Sequence, residues 1–325
     1  MIKVSKNSIK SMTKASKNNP ILSIVILYYN SQDYLEKCLD SLAKSKLNKY
    51  TIETIIVNNG TTDGIAKLAE NKFKTNPIIN SHFIYSPTNL GFASGNNFGV
   101  KHINPYSKYV LFVNDDMIFF PNTITKMINF FEKNIQVDAS TCHVTLANSG
   151  KLAPETHRGF PTPWNTFWHF FGLGIPKLFP KSKLLHGYLS DYKEYTTTQK
   201  IDCCQGCFLM LKKTVGEKIG WWNEKYFFLG EDLDLCYKLK QNNFSLYFYP
   251  KPKIIHFHGI SSGLKKTKSN ANRQTKIHSA KASTSAMKIF YQENLMPDYP
   301  KLLHPIIYLG IKFLDVYRIF KAKYL

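Results

Sequence analysis

Short apolar runs alternate with amphipathic segments along the first part of the chain. Leu22–Tyr28 is a β-branched, apolar run that predicts a buried strand, and Thr51–Val57 predicts a second one. Between them lies a segment with helical periodicity, for which Asn30 or Ser31 is the expected N-terminal cap. A second helix is predicted over Ile65–Phe73. The apolar face of the first helix consists of Leu35, Cys38, Leu39 and Leu42.

Further strands are predicted over Phe83–Tyr85 and Tyr109–Val113, and another lies near Pro250–Ile255. The glycine-rich turn Asn89–Asn97 leads into a helix. This alternation of strands and helices predicts an α/β fold with a largely parallel, doubly wound sheet. Ligands bind beyond the carboxyl ends of the strands in such sheets, so we expect the polar turns there to form one site.

Three carboxylates interrupt the otherwise apolar stretch Phe227–Cys236. They belong to Glu231, Asp232 and Asp234. Burying ionised carboxylates is costly, so this trio favours a metal, a cationic partner or a role in proton transfer. Acidic residues in the first turn of a helix are the alternative, because the helix dipole favours them there.

The turns after the strands carry groups suited to a nucleotide and a metal. Asn58, Asn59 and Asp63 are suited to contact a base or ribose, although such residues also form ordinary turns. Asp115 and Asp116 end a strand with hard oxygen ligands, which favour Mg²⁺ or Mn²⁺ bridging a diphosphate.

Two other features of these turns are open to two readings. His256 follows a strand, where imidazole either ligates Mn²⁺ or packs as an ordinary histidine. Gly91 and Gly95 either allow a bulky ligand to approach the backbone or serve the turn itself. Neither reading is decided by the sequence at these positions.

The composition is strongly basic. The 325 residues include 43 Lys+Arg and 22 Asp+Glu, a net charge of +21, and every charged residue between positions 262 and 289 is basic. Such charge attracts nucleic acid, anionic lipid or phosphorylated substrates. Because no RNA-binding or zinc-finger motif is present, we expect no nucleic-acid partner.

The cysteine content and the first 20 residues indicate the expected cellular compartment. Six cysteines in a chain of this length form no dense disulfide framework, which favours a reducing cytosol. We expect Cys203, Cys204 and Cys207 to be buried thiols, with half of a zinc site as the alternative. Residues 1–20 are expected to form a solvated basic tail rather than a signal peptide.

The C-terminal segment from Leu302 is apolar but is interrupted by Lys312, Asp315 and Arg318. This pattern predicts an amphipathic helix that lies at a membrane surface rather than spanning the bilayer. A helix packed on the rest of the protein is the alternative. With the basic segment before it, the helix suggests peripheral attachment to an anionic, cytoplasmic membrane face.

These motifs together resemble family 2 glycosyltransferases of the GT-A fold, in the bacterial rhamnosyltransferase-like branch. The resemblance covers residues 21–263, after a basic tail over 1–20 and before a basic, helical extension over 264–325. Val57–Gly64 resembles the family's V-D-N-x-S-x-D-G turn, and Asn89–Asn97 resembles its N-L-G-F-A-x-G-N-N turn. Asn114–Asp116 occupies the D-x-D position. Glu231–Leu235 is the E-D-x-D-L segment, and His256–Ser262 resembles the closing H-x-x-G-x-S motif. The opening strand Ile24–Asn30 and Gly206, in the G-x-x-x-x-x-(K/R) strand, complete it.

The resemblance implies a role for each matching residue. Asp232 would be the general base, with Glu231 as the second candidate. Asp116 would ligate the metal, alone or with His256 or His258. Asn58 stands where the family usually has an aspartate that reads the base, and Asn114 stands at the first D of the D-x-D position, where asparagine is common in this branch. The implied donor-binding residues are Tyr28, Asn30, Asn58, Asp63, Asn89, Gly91, Gly95, Asn96, Asn114, Asp115 and Gly206.

The implied activity is inverting, metal-dependent transfer of a sugar to a hydroxyl of a glycan or lipid-linked acceptor. The donor would be a nucleotide diphosphate sugar, with L-rhamnose from dTDP-rhamnose as the leading expectation, and the cofactor Mn²⁺ or Mg²⁺. The product would belong to a cell-surface polysaccharide. A non-catalytic protein that binds sugar nucleotides or nucleic acid through its basic surface is the alternative.

Overall fold

The computed structural model describes residues 19–31, 34–190, 192–257 and 273–324. Within these ranges the strands form one nine-stranded sheet. They are β1 (Leu22–Tyr28), β2 (Ile52–Asn59), β3 (Ser81–Ser86), β4 (Tyr109–Asn114), β5 (Met117–Phe119), β6 (Ala139–Leu146), β7 (Gln199–Lys200), β8 (Phe208–Lys212) and β9 (Leu246–His256). The α-helices are α1 (Leu35–Ala43), α2 (Ile65–Phe73), α3 (Gly91–Val100), α4 (Thr123–Lys133), α5 (Pro163–Phe171), α6 (Ile175–Leu178), α7 (Lys213–Ile219), α8 (Glu231–Gln241), α9 (Arg273–Phe290) and α10 (His304–Tyr324).

The sheet has a parallel half and a mixed half. Its strand order is β3-β2-β1-β4-β8-β6-β9-β5, with β7 paired to β9. β3, β2, β1 and β4 are parallel, as the sequence predicts. β8 is antiparallel to both β4 and β6, because the long excursion between β6 and β8 returns the chain in the opposite direction. The α/β class is confirmed, and the sheet as a whole is mixed rather than largely parallel.

The direction of the strands sets the position of the candidate site. β9 is parallel to β6, and β6 runs in the same direction as β4 because both are antiparallel to β8. Since β3 is parallel to β2, the carboxyl ends of β1, β2, β3, β4 and β9 all lie at one edge of the sheet. The polar turns identified in the sequence follow these strands, so the expected convergence is confirmed.

Side chains of β1 alternate between two apolar cores. Ile24 and Ile26 face a core formed with α1, α2 and α4, whereas Val25 faces a second core with α3, α7, α8 and α9. This alternation follows from the two-residue period of a strand. The sheet is consequently covered by helices on both faces.

The start of α1 differs from the prediction. Tyr34 occupies the N-cap position without a side-chain cap, so the expectation of Asn30 or Ser31 was wrong. The Ser31 hydroxyl instead donates to the carboxylate of Asp115, and its carbonyl accepts a hydrogen bond from Tyr34 N at 3.0 Å. The Ser31 hydroxyl is thus bonded to Asp115 and does not cap α1.

The C-terminal helix α10 packs on α9 but leaves much of its apolar surface exposed. Leu314 is buried against the protein, whereas Leu309 and Val316 are 69% and 62% exposed. Packing of α10 on the rest of the protein is therefore observed on one face, and the role of the exposed apolar face at a membrane stays a prediction. In the described part of the chain, no helix combines the length and hydropathy required to cross a bilayer.

Candidate functional site

The turn after β2 is closed by the amide of Asn58. Its Nδ2 donates to Thr61 O at 2.8 Å, and its Oδ1 accepts from Thr61 N at 2.8 Å. An aspartate could accept but not donate in this arrangement. The carboxylate of Asp63 accepts hydrogen bonds from the Tyr28 hydroxyl and, at 2.9 Å, from Ile65 N. Asn30 is joined to the same turn, because its N donates to Thr61 Oγ1 at 3.2 Å.

A second cluster connects β2 with the start of α3. Asn59 Nδ2 donates to Asn89 Oδ1 at 3.0 Å, and Leu90 N donates to Asn59 Oδ1 at 2.9 Å. Asn89 Oδ1 also accepts from Gly91 N at 2.8 Å. These hydrogen bonds fix the segment that leads into α3 against the end of β2.

The structure places Gly91 and Gly95 in α3 rather than in a turn, and both are in close contact with other parts of the protein. Gly91 has φ +81°, and a Cβ there would lie 2.4 Å from Phe227 O. A Cβ at Gly95 would lie 2.6 Å from Leu27 Cδ1. Asn96 is also buried, with Nδ2 donating to Phe92 O at 2.9 Å. Gly95 and Asn96 are therefore not among the groups exposed at the site edge, and their donor-binding role stays a prediction.

The acidic pair after β4 is buried. Burial and the adjacent Asp116 carboxylate raise the pKa of Asp115, while the hydrogen bond from Ser31 lowers it. Asp116 Oδ1 lies 3.1 Å from His256 Nε2. Asn114, the residue before the pair, donates through its N to Cys207 O at 3.1 Å.

Asp116 and His256 carry ligand types that would fit a divalent cation. Asp116 supplies a carboxylate and His256 an imidazole from neighbouring strand ends, and both ligand types suit Mn²⁺. In the described ranges no three or more His, Cys, Asp or Glu side chains are grouped to hold a metal by themselves. A cation near two adjacent buried acids would also favour their ionised forms. His258 lies outside the described residues.

The trio of carboxylates forms the first turn of α8, and its members have different surroundings. Gly230, at φ +90°, turns the chain into the helix. Glu231 is buried, and burial together with Asp232 raises its pKa. Asp234 accepts from Asn294 Nδ2 at 3.0 Å and lies 3.5 Å from Lys238 Nζ, so it orders neighbouring segments.

Asp232 is paired with an arginine that the sequence analysis missed. Arg158 Nη2 donates to Asp232 Oδ2 at 3.1 Å, and the two side chains are only 14% and 13% exposed. Burial opposes the charge of Arg158, but Asp232 and other neighbours hold the pKa of the guanidinium above its usual value. A signal was available, since Arg158 is one of only three arginines among 43 Lys+Arg.

The buried thiol of Cys207 is influenced by carboxylates from two parts of the candidate site. Burial raises its pKa, and Asp116, Asp232 and Glu155 raise it further. The charges of Asp116, after β4, and of Asp232, in α8, thus both act on the Cys207 thiol.

The remaining motif residues contribute to packing. Cys203, Cys204 and Cys207 are buried thiols, as expected, and Cys236 is buried as well. Gly206 lies just before β8, where a Cβ would be 3.0 Å from Trp222 Cη2. Residues 258–272, which include the end of the closing motif and part of the basic segment, lie outside the described residues.

The sequence is similar to those of known glycosyltransferases. A sequence model of glycosyl transferase family 2 matches residues 23–217. An uncharacterised glycosyltransferase of Rickettsia felis is 24% identical over 214 residues, 63% of this chain and 33% of its own length. The rhamnosyltransferase WbbL of Escherichia coli is 24% identical over 240 residues, 72% of this chain and 82% of its own.

A solved structure shares the fold. The mannosyltransferase PcManGT of Pyrobaculum calidifontis, in complex with GDP-Man and Mn²⁺, matches with a TM-score of 0.55 at 13% identity, over 94% of this chain and 73% of that one. The fold is thus that of the GT-A glycosyltransferases. The chain belongs to glycosyl transferase family 2. It spans about a third of the length of the Rickettsia felis relative.

Proposed function

We propose that this protein is an inverting, metal-dependent glycosyltransferase that uses a nucleotide diphosphate sugar. The observation that carries the proposal is a pair of partnered carboxylates, Asp116 beside His256 at the sheet edge and Asp232 beside Arg158 at the start of α8. One pair suits the donor diphosphate and its cation, and the other suits proton removal from an acceptor. The family model matches residues 23–217, which include Asp116 and Arg158, whereas Asp232 and His256 follow the matched residues.

In the proposed reaction Asp232 takes the proton of an acceptor hydroxyl. The hydroxyl oxygen forms a bond to the anomeric carbon as the bond from that carbon to the phosphate oxygen breaks, which inverts the configuration. Arg158 orients the carboxylate through Oδ2. The bound cation supplies charge neutralisation for the departing diphosphate. Glu231 is the second candidate for the base, although its burial and raised pKa suit a protonated carboxyl better.

The leading donor is dTDP-rhamnose, and the product a cell-surface polysaccharide. Similarity to the rhamnosyltransferase WbbL supports this choice. The turn that carries Asn58 and Asp63 is the proposed nucleoside site. Because the amide of Asn58 already closes its own turn, we propose that its remaining lone pair on Oδ1 faces the base.

We further propose that the protein lies on the cytoplasmic face of an anionic membrane. The exposed face of α10 is apolar, and Lys312, Lys321 and Lys323 are exposed on the same helix. Apolar and basic groups on one helix suit insertion at a negatively charged lipid surface. The proposed boundaries are a catalytic domain over 21–263 and a helical extension over 264–325.

Donor turnover by the purified protein tests the proposal. We expect transfer or slow hydrolysis of a nucleotide sugar with Mn²⁺ or Mg²⁺, lost on addition of EDTA and restored by excess metal. A thermal-shift screen of nucleotide sugars, with and without metal, identifies the donor. Metal-independent binding without turnover of any donor would support the alternative of a non-catalytic binding protein.

A further inference from the structure

The C-terminal part of the chain contacts the start of α8 at two points. α9 packs against Gly230, the residue before the helix, where a Cβ would lie 2.8 Å from the Cβ of Ala286. Further along the chain, Asn294 Nδ2 donates to Asp234 Oδ1 at 3.0 Å. Asp232 lies between Gly230 and Asp234 in the sequence, so both contacts fall on the helical turn that carries the proposed base.

The contact between Asn294 and Asp234 is buried. The two side chains belong to residues that are 8% and 1% exposed, and a buried carboxylate requires hydrogen-bond donors. Asp234 Oδ1 also accepts from Asn223 Nδ2 at 3.4 Å, and Lys238 Nζ lies 3.5 Å from Oδ2. The hydrogen bond from Asn294 is shorter than either of these contacts. Its loss would therefore weaken the attachment of this turn to the C-terminal helices.

Asp232 and Asp234 point to different sides of α8. Because an α-helix has 3.6 residues per turn, two positions along the chain are separated by about 200° around the helix axis. Asp232 is bonded to Arg158, and Asp234 is bonded to Asn294. Contacts on two sides fix the rotation of this turn about the axis, and with it the direction of the Asp232 carboxylate.

The backbone that enters α8 is strained. Leu229 and Gly230 have φ of +69° and +90°, and a leucine rarely adopts the left-handed region. Such conformations persist only where surrounding contacts hold them. The contacts from Ala286 and Asn294 meet this requirement from the C-terminal side.

Asn294 lies in an irregular part of the C-terminal helices. The segment Tyr291–Leu295, directly after α9, is a π-helical turn, a rare conformation that is frequent at functional sites. The preceding residue, Glu293, accepts from Asn223 Nδ2 at 2.8 Å and is paired with Lys225. Two consecutive side chains of this turn are thus bonded to α8 or to the segment that leads into it.

We propose that Asn294 is a positioning residue, which holds the first turn of α8 so that Asp232 faces the acceptor hydroxyl. This inference rests on the proposed glycosyl transfer and extends its active site to the C-terminal helices. Asn294 takes no part in the chemical step. It bonds Asp234, which shares a helical turn with the base.

Exchange of the two side chains tests this contact. Asn294→Leu removes the amide at similar volume, and Asn294→Asp alone places two carboxylates together. Asn294→Asp combined with Asp234→Asn restores an amide–carboxylate hydrogen bond with the roles reversed. Gln292→Leu is the matched control, because it makes a comparable change at an exposed position of the same π-helical turn.

Two measurements are made on each variant. Hydrogen exchange followed by mass spectrometry should be faster by about tenfold or more in the first turn of α8 for Asn294→Leu, with unchanged exchange in β1 and β2. Hydrolysis of dTDP-rhamnose with Mn²⁺, in which water gives its proton to Asp232, should lose about tenfold in kcat. Affinity for dTDP with Mn²⁺, measured by calorimetry, should stay at the wild-type value.

The double variant should recover most of both losses, and Gln292→Leu should behave as the wild type does. Wild-type kcat in Asn294→Leu would overturn the inference, as would a double variant that is no better than Asn294→Asp alone. Parallel losses of dTDP affinity and kcat would also overturn it, because they would show a general structural defect. A wild-type protein that hydrolyses no nucleotide sugar would contradict the proposed function instead, and the exchange rates of α8 would then decide the inference alone.

Discussion

Arg158 Nη2 donates a hydrogen bond to Asp232 Oδ2 at 3.1 Å, and both of these side chains are largely buried. A paired, buried carboxylate is fixed in direction, because moving it away would leave a guanidinium without its partner. We infer that Arg158 is a positioning residue that keeps Asp232 aimed at the acceptor.

Substitution of Arg158 should therefore affect turnover more than binding. We expect Arg158→Gln to lower kcat by about tenfold to a hundredfold, in keeping with the loss of a charge-assisted hydrogen bond. Arg158→Lys should recover part of the loss, since it retains the charge but not the planar fork. Steady-state kinetics check this, and a rise in donor KM with unchanged kcat would instead place Arg158 in donor binding.

Asp116 should govern the effect of metal on nucleotide binding. Asp116→Asn removes the negative charge beside His256, so Mn²⁺ should no longer tighten binding of a nucleoside diphosphate. Calorimetry with and without Mn²⁺ measures the effect. Glu132→Gln is a matched control, because Glu132 bonds Tyr109 at the opposite end of β4. A variant that still gains affinity from Mn²⁺ as the wild type does would show the assignment to be wrong.

Glu231 should make stability depend on pH. Burial and Asp232 raise its pKa to about 8, so the folded protein holds this proton more tightly than the unfolded chain does. Stability should therefore fall as the pH rises from the usual carboxyl range, about 4.3, to about 8.

Glu231→Gln should remove this part of the pH dependence, because the amide stays neutral at both ends of the range. Urea unfolding at pH 5 and pH 8 measures it, with Glu217→Gln, which is 52% exposed, as the control. Parallel pH curves for wild type and Glu231→Gln would contradict the account.

Vesicle flotation tests the membrane face of α10. We expect more protein to float with anionic than with neutral vesicles, and Phe320→Ser to reduce recovery because that ring is 56% exposed. Ile135→Ser is the control, since Ile135 is a highly exposed apolar residue between α4 and β6. Equal recovery with neutral and anionic lipids would remove the electrostatic part of the proposal.

The sequence predicted those strands and helices that have a clear short-range pattern of apolar residues. The run of Leu22–Tyr28 and the periodicity of Ile65–Phe73 gave strand and helix bounds that match the structure. The resemblance implied a metal at Asp116 with His256 as the weaker second ligand, and these two side chains lie 3.1 Å apart. The antiparallel strand β8 could not be predicted in this way, because strand direction depends on how the chain returns after a long excursion.

Contacts between distant segments were equally hidden from the sequence. Arg158 lies 74 positions from Asp232, and no periodicity connects them. An apolar groove is lined by both α5 and α10, whose separate patterns indicate only amphipathic helices. The cap of α1 was missed because Ser31 has a better acceptor in Asp115, a partner from another strand end.

The most direct test of the central claim is the rate of sugar transfer by Asp232→Asn at saturating donor and Mn²⁺. The amide cannot take the acceptor proton, so transfer should fall by about 10²–10⁴-fold. Donor and metal affinity, measured by calorimetry on the same sample, should stay close to the wild-type values. A variant that keeps more than about a tenth of wild-type turnover would contradict the account and assign the base to Glu231 or to the substrate itself.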